Sequence, residues 1–399
     1  MSTQSYRVLV VEDQPFQREY LLNLFRERGV EYLVGAGDGA DALRWLEREE
    51  FDLMLSDLMM PGMDGVQMIQ QLSRLEHRPQ LALMSSTSRR MMVSASLVAQ
   101  SLGLSVIDLL PKPALPSAIG RLLARLDKRL RQGVESHVGV GRSGRSALSE
   151  ALDKDQLQAW FQAKKSLHTG RIVGAEALVR WLHPQQGLLL PGCFMADIEA
   201  HGLQETLLWH MLEQTLRAQT LWRESGYEVP VSVNLPTQLL DIPDLPDRLG
   251  EFVGDHGANP GSLCFELTEN SATTLPGNYY AGACRLRMKG FGLAQDDFGQ
   301  GYSSLYNLVS TPFTELKIDR SLVHGCVEDS DLAVAVASSI ELGRQLRLDV
   351  VAEGVETWEE LSLLRRLGCD RVQGFLISEA VTARVFEQQL QEDGPSAGG

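Results

Sequence analysis

Short apolar runs and amphipathic stretches alternate from the start of the chain. Arg7–Val11 is β-branched and apolar, and an apolar stripe at helical spacing follows over Phe16–Arg28, with Gly29 as its C-cap. Further runs lie at Tyr32–Ala36, Leu53–Ser56, Leu81–Met84 and Val106–Leu110, separated by amphipathic stretches such as Asp41–Glu49 and Val66–Leu75. Strands alternating with helices in this way predict an α/β fold, a doubly wound parallel sheet in one unit of about 125 residues. The helical stretch Leu122–Leu130 closes it. Residues 133–146 lose apolar periodicity and are rich in Gly and Ser, the composition of a flexible linker.

A second rhythm starts near Leu148. Strand patterns fall at Trp160–Leu167, Ile172–Trp181, Val229–Asn234, Leu263–Leu267, Gly292–Ala294, Glu315–Ile318, Leu348–Ala352 and Arg371–Phe375. Helical stretches such as Thr206–Glu224, Leu332–Leu346 and Trp358–Leu367 separate most of them. Eight strands in about 240 residues match the size of a (β/α)8 barrel. The expected organisation is a first domain over 1–128, a linker over 129–148, a barrel over 149–390 and a disordered tail over 391–399. Trp160, Trp181, Trp209, Trp222 and Trp358 are expected in the core or between helices.

Charge narrows the function. With 52 acidic and 37 basic residues the net charge is -15, which disfavours binding a nucleic-acid polymer but not a small phosphorylated ligand held through divalent cations. No basic recognition helix speaks for a transcription factor. The cysteines (Cys193, Cys264, Cys284, Cys326, Cys369) form no CxxC pair and read as reduced thiols, so a cytoplasmic location is expected. The N-terminal apolar run soon meets Glu12 and Asp13, unlike a signal peptide. No run approaches the ~18 apolar residues of a membrane helix, so no membrane partner is expected.

Ligands of an open parallel sheet sit beyond the carboxyl ends of its strands. Glu12 and Asp13 follow the first strand run, Asp57 the third, Ser85 the fourth and Lys112 the fifth. Carboxylates gathered there call for a hard cation such as Mg²⁺, beside which an Asp is a nucleophile toward phosphoryl groups. Residues 6–128 resemble a response-regulator receiver domain. The resemblance implies a flavodoxin-like fold and Asp57 as phospho-acceptor. Glu12 and Asp13 would hold one Mg²⁺, Lys112 would contact the phosphoryl group, and Ser85, or alternatively Ser86, would be the switch hydroxyl. Receivers of this type usually carry an aromatic residue three positions before the lysine, where this chain has Leu109.

In the second domain, acidic and amide residues gather at predicted strand ends: Glu176, Asn234, Glu266 with Glu269, Asp296 with Asp297, and Glu353 with Glu356; Lys317 sits in ELKIDR. In a barrel such residues meet at one mouth. Their oxygen-only chemistry points to Mg²⁺ or Mn²⁺ rather than zinc. Adjacent aspartates face opposite sides of a strand, so Asp296 and Asp297 can share a metal pair only where the strand gives way. Two cations about 3.5–4 Å apart suit in-line attack on a phosphodiester, with Glu353 as proton acceptor and Lys317 fixing the water.

EALVRW, VNL, FELTE, DDFGQGYSSL, LKIDRS, VAEGVET and QGF follow in this order. They resemble the EAL-domain phosphodiesterases that open the bacterial messenger cyclic di-GMP. The resemblance implies a modified β/α barrel (TIM type) and hydrolysis to linear pGpG. By motif position, Glu176, Asn234, Glu266 and Asp296 would ligate one metal, and Asp296, Asp297 and Glu353 the second, with Glu353 also the general base. Lys317 would position the water. Gln162, Leu178, Arg180, Asp319, Glu356 and Gln373 would line the substrate groove, and Glu269 would stabilise the loop after Asp297. Departures are Phe161-Gln162-Ala163-Lys164 in place of Tyr-Gln-Pro-Ile, Gln300 in place of Thr, and QGFLISEA near the end. A sensor histidine kinase or phosphotransfer protein is the expected partner, with a homo-oligomer the expected state. The competing readings are a catalytically weak cyclic di-GMP receptor and an interaction scaffold. Such proteins normally lose a metal carboxylate or the base, whereas this chain keeps them all.

Overall fold

The computed structural model describes residues 6–75, 77–86, 89–137, 144–268, 276–300 and 305–394. The chain divides into two compact units, Met1–Val140 and Gly141–Gly399.

The first unit is a parallel sheet of β1 (Arg7–Val11), β2 (Tyr32–Ala36), β3 (Leu53–Asp57), β4 (Gln80–Ser85) and β5 (Val106–Pro111), in the order β2-β1-β3-β4-β5. Continuous apolar strands follow from burial on both faces. Along β1, Val8 and Val10 enter a cluster with Phe25, Ile119 and Leu126, while Leu9 and Val11 enter one with Met68, Ile69 and Met92. Asp38 and Asp64 start the helices Gly39–Leu46 and Gly65–Leu72 by accepting the amides of Asp41 and Gln67. The closing helix runs from Pro116 to His137, well into the expected linker. Strong helix formers carry it on, and a single Gly133 costs only about 1 kcal/mol. The next helix, Arg145–Asp153, starts inside the other end of that stretch and buries Leu148, Ala151 and Leu152. Residues 138–143 lie outside the described residues.

The second unit is a closed barrel of β6 (Leu157–Ser166), β7 (Ile172–His183), β9 (Val231–Asn234), β10 (Leu263–Thr268), β11 (Gly292–Phe298), β12 (Glu315–Ile318), β13 (Asp349–Ala352) and β14 (Arg371–Val372). One further strand, β8 (Gly187–Leu189), pairs with β7 at the rim. Its three residues are too short to show a period, and the sequence reading missed it. Neighbours from β7 and β9 round to β14 are parallel, but β6 is antiparallel to both β7 and β14. The connection 167–171 explains this: a parallel return needs a crossover of about ten residues or more, whereas a short turn gives a hairpin. Gly170, at φ 71°, makes that turn.

Outside the sheet, Trp222 is fully buried between Phe161 and Phe386, with ring centroids 4.9 and 4.8 Å away, and its indole N–H donates to Ala383 O at 2.9 Å. Trp358 departs from expectation. It opens the helix Trp358–Leu367 and is 68% exposed, because the apolar stripe of that helix is carried by Leu361 and Leu364. The last helix, Ala383–Asp393, takes in residues expected to belong to the tail. Asp393 holds it down by accepting from Lys165 Nζ at 3.0 Å and from the Ile172 amide at 2.6 Å.

Candidate active site

At the carboxyl edge of the first sheet, β1 delivers Glu12 and Asp13, β3 ends on Asp57, and β5 delivers Lys112. Oxygens of Glu12, Asp13 and Asp57 lie within 4.8 Å of one another. Lys112 Nζ reaches Asp57 Oδ2 and Glu12 Oε2, each at 2.6 Å. Burial pushes the Glu12 carboxyl above its usual range, and Lys112 only partly offsets this. Burial alone would lower the Lys112 ammonium, but its bonds to Asp57 and Glu12 raise it overall. Ser85 ends β4 and is buried, whereas Ser86 is exposed.

The mouth of the barrel gathers more charge. Lys317 on β12 is 1% exposed, and its ammonium touches Glu266 Oε2 at 2.5 Å, Glu353 Oε1 at 2.8 Å, Asp296 Oδ1 at 3.0 Å and Glu176 Oε2 at 3.4 Å. Asn234 Nδ2 donates to Glu176 Oε1 at 3.3 Å. Gln373 Nε2 donates to Glu176 Oε2 at 2.6 Å and to Gln162 Oε1 at 2.9 Å. Gln162 enters this group because it is the register partner of Glu176.

Asp296 and Asp297 resolve the strand problem in a particular way. The β11–β12 register shifts between Gln295 and Phe298, and Asp297 sits at φ 56°. This bulge turns Asp297 out of strict alternation inside the strand itself, and Asp is among the residues that tolerate the left-handed region. Oxygens of Asp296, Asp297 and Glu353 thereby come within 4.8 Å of one another.

Crowded carboxylates titrate unusually. Burial, then Glu266, push Glu176 up to about 7. Burial, then Asp296 and Asp319, push Asp297 up to about 6. Burial also drives Glu353 well above the carboxylate range, although its side chain is still 17% exposed, enough for solvent to reach it. Burial would raise Glu266 too, but Lys317 and Lys164 outweigh it and hold it near 2. Carboxylates exceed the ammonium groups facing them, and buried Asp296 Oδ1 has an ion pair with Lys317 but no hydrogen-bond donor aimed at it. Such an excess of oxygen donors fits divalent cations of the Mg²⁺ and Mn²⁺ kind.

The expected substrate residues are placed less uniformly. A cavity of about 590 Å³ opens beside Glu176, Asn234 and Glu266 and runs along Leu178, Pro191, Met195 and Met211. Leu178 lines it; Gln162, Arg180, Asp319, Glu356 and Gln373 do not. Arg180 is half-buried, and Nη1 donates to Val179 O at 2.9 Å. Asp319 caps the helix Arg320–Val323 and accepts from Gln300 Nε2 at 3.4 Å. Glu356 is exposed beyond β13. Glu269 lies outside the described residues. The sequence reading missed Met195 and Met211 because helical residues carry no mark of the cavity they face. It also missed Lys164, a 2% exposed lysine on β6 whose signal was alternation with Gln162 on the inward face.

Comparisons with known proteins identify the family and the fold. The EAL domain family matches residues 145–380, and the response regulator receiver domain matches residues 8–124. Cyclic di-GMP phosphodiesterase RocR of Pseudomonas aeruginosa is 31% identical over 382 residues, spanning 95% of this chain and 97% of RocR. The bifunctional diguanylate cyclase/cyclic di-GMP phosphodiesterase MucR of that organism is 38% identical over 237 residues, 59% of this chain and 35% of MucR. Among solved structures, the PaMucR phosphodiesterase in complex with c-di-GMP gives a TM-score of 0.57 at 37% identity, covering 60% of this chain and 98% of that one. The cGMP-bound EAL enzyme Bd1971 gives 0.57 at 26% identity, covering 74% and 79%. The chain therefore belongs to the EAL domain family and carries a response regulator receiver domain ahead of its barrel.

Proposed function

We propose that the chain is a response regulator that hydrolyses cyclic di-GMP to linear pGpG. The observation that carries the reading is the barrel mouth, where Asp296, Asp297 and Glu353 converge and Glu176 and Glu266 share the same buried Lys317. EAL domains use divalent metal ions. Glu176, Asn234, Glu266 and Asp296 would hold one, and Asp296, Asp297 and Glu353 the other. Bound there, the pair supplies Lewis acidity at the scissile phosphate and acidifies a water. Glu353, whose Oε1 is held by Lys317, would accept a proton from the attacking water. The Lys317 ammonium keeps the water in line. Arg180 takes a phosphate oxygen. Leu178 walls the cavity beside Glu176, and Gln162, Asp319, Glu356 and Gln373 would meet the nucleotide outside that cavity.

The purified chain, incubated with cyclic di-GMP and Mg²⁺ or Mn²⁺ and analysed by chromatography, tests the reading. Accumulation of pGpG is expected. Cyclic di-GMP recovered intact with either metal overturns it in favour of a receptor or scaffold.

The receiver domain implies a phosphodonor partner. We infer that a sensor histidine kinase or phosphotransfer protein fills that role in the cytoplasm. Asp57 takes the phosphoryl group beside one Mg²⁺ on Glu12 and Asp13, with Lys112 and Ser85 reading the change. Among the described residues no helix is long and apolar enough to cross a membrane. Self-association belongs to the same reading, supported by the helix Leu305–Ser310, which leaves Leu305, Tyr306 and Val309 exposed.

A further inference from the structure

We propose that Lys164 is a positioning residue for the metal ligand Glu266, acting from an ion network one layer below the mouth of the barrel. What Glu266 does rests on the phosphodiesterase reading above; how it is held rests on the geometry alone.

Inward-facing side chains of a barrel stack in layers, two residues apart along each strand. Asn234, Glu266, Lys317 and Gln373 form the mouth, so Ser232, Cys264, Glu315 and Arg371 lie in the layer beneath. Bulky aliphatic residues usually fill such a layer. Here Lys164 enters it from β6, opposite Gly174, whose missing side chain leaves space beside the lysine stem. The Lys164 ammonium donates to Glu315 Oε1 at 2.5 Å, Ser232 Oγ at 2.7 Å and Glu266 Oε1 at 3.0 Å. Arg371 pairs with Glu315 Oε2 at 3.0 Å and with Asp349 Oδ2 at 2.7 Å, which fixes the lower end of the chain of charges.

Glu266 is thus held from both sides. Lys164 takes Oε1 from below and Lys317 takes Oε2 from the mouth, and Glu266 is 0% exposed. A carboxylate bound at both oxygens cannot swing about its last torsion, so the oxygen turned to the mouth keeps one place. Apolar residues of similar volume commonly replace a buried ion network at no loss of stability. A network of this kind directly under a set of metal ligands is therefore better explained by orientation. Outer partners of metal ligands are typically worth 10- to 100-fold in metal affinity.

The test uses the full chain with Asp13→Asn and Asp57→Asn, which silence the receiver cluster. Without nucleotide, Mn²⁺ is titrated and the free ion read by electron paramagnetic resonance. Lys164→Met is expected to weaken Mn²⁺ binding about 10- to 100-fold. It is also expected to raise the Mg²⁺ needed for half-maximal turnover, while the KM for cyclic di-GMP at saturating metal moves less than about threefold. Lys164→Met with Glu315→Gln keeps the layer's charge balanced and protects folding, yet leaves Glu266 without its lower anchor. Metal affinity is expected to stay weak in that double variant. Wild-type affinity in either folded variant overturns the proposal, since Lys164 would then only neutralise its layer. If the unaltered chain leaves cyclic di-GMP intact, the phosphodiesterase reading fails while the Mn²⁺ titration still decides the role of Lys164.

Discussion

Glu353 combines traits that seldom meet in one side chain. It is packed among other carboxylates, raised well above the ordinary carboxylate range by burial, and still open to solvent. Cations bound beside it would favour its deprotonated form, the form a general base needs. Glu353→Ala should lower turnover by at least ~10² and keep nucleotide binding when Ca²⁺ replaces Mg²⁺. Undiminished turnover removes Glu353 from the role of base. Glu176 near 7 and Asp297 near 6 make a second prediction at this scale. A carboxyl whose folded pKa lies above its unfolded value of about 4 stabilises the metal-free fold at low pH, and that stability is lost as pH rises through about 6–7. Cations need the deprotonated form, so protons compete with them across the same window. The rise in melting temperature on adding Mg²⁺ should therefore be larger near pH 8 than near pH 5.5. An equal rise at both would show that these two carboxyls do not take part in binding.

Strands and loops decide whether such residues meet. The motif DD at the end of β11 was legible, but its use was not. Only the bulge, with Asp297 at φ 56°, brings both aspartates to Glu353. Gly374, in the QGF motif, shows the same dependence on tertiary structure. Its φ is 155°, and a Cβ there would lie 2.2 Å from Val355 N and 2.3 Å from Val355 O. Backbone leaves no flexible atom to move aside, so Gly374→Ala should destabilise the chain by at least ~2 kcal/mol in urea unfolding. A change below about 0.5 kcal/mol, the range of ordinary surface substitutions, would mean the two loops separate easily. The sequence reading placed both strands of the β6–β7 hairpin but not their antiparallel pairing, which brings Gln162 and Lys164 inward.

At the scale of the whole molecule, two separate clusters lie on one chain: Glu12, Asp13, Asp57 and Lys112 at a sheet edge, and a carboxylate cluster in a barrel mouth. If the first controls the second, beryllofluoride or a small phosphodonor should change cyclic di-GMP turnover in the unaltered chain and leave Asp57→Ala unaffected. Equal rates in both proteins, with and without donor, would end the idea of control through Asp57. The exposed Leu305, Tyr306 and Val309 bear on assembly. Tyr306→Glu should lower the molar mass measured by light scattering, because a carboxylate on that face is costly to bury. A monomeric unaltered chain, or an assembly indifferent to the substitution, would place self-association elsewhere or nowhere.

Local pattern was enough to determine the order of the main elements, the strands that carry Asp57, Glu176, Glu266 and Asp296, and the oxygen-rich character of both clusters, although Glu176, expected at a strand end, lies in the middle of β7. Those features follow from side-chain period and from the types of residue at strand ends, which are written along the chain. Three-dimensional packing alone decided that Asp297 leaves strict alternation, that Lys164 reaches Glu266 across the barrel interior, and that helical Met195 and Met211 wall the neighbouring cavity. Each of these joins residues far apart in sequence, and their positions relative to one another exist only once the sheet has closed.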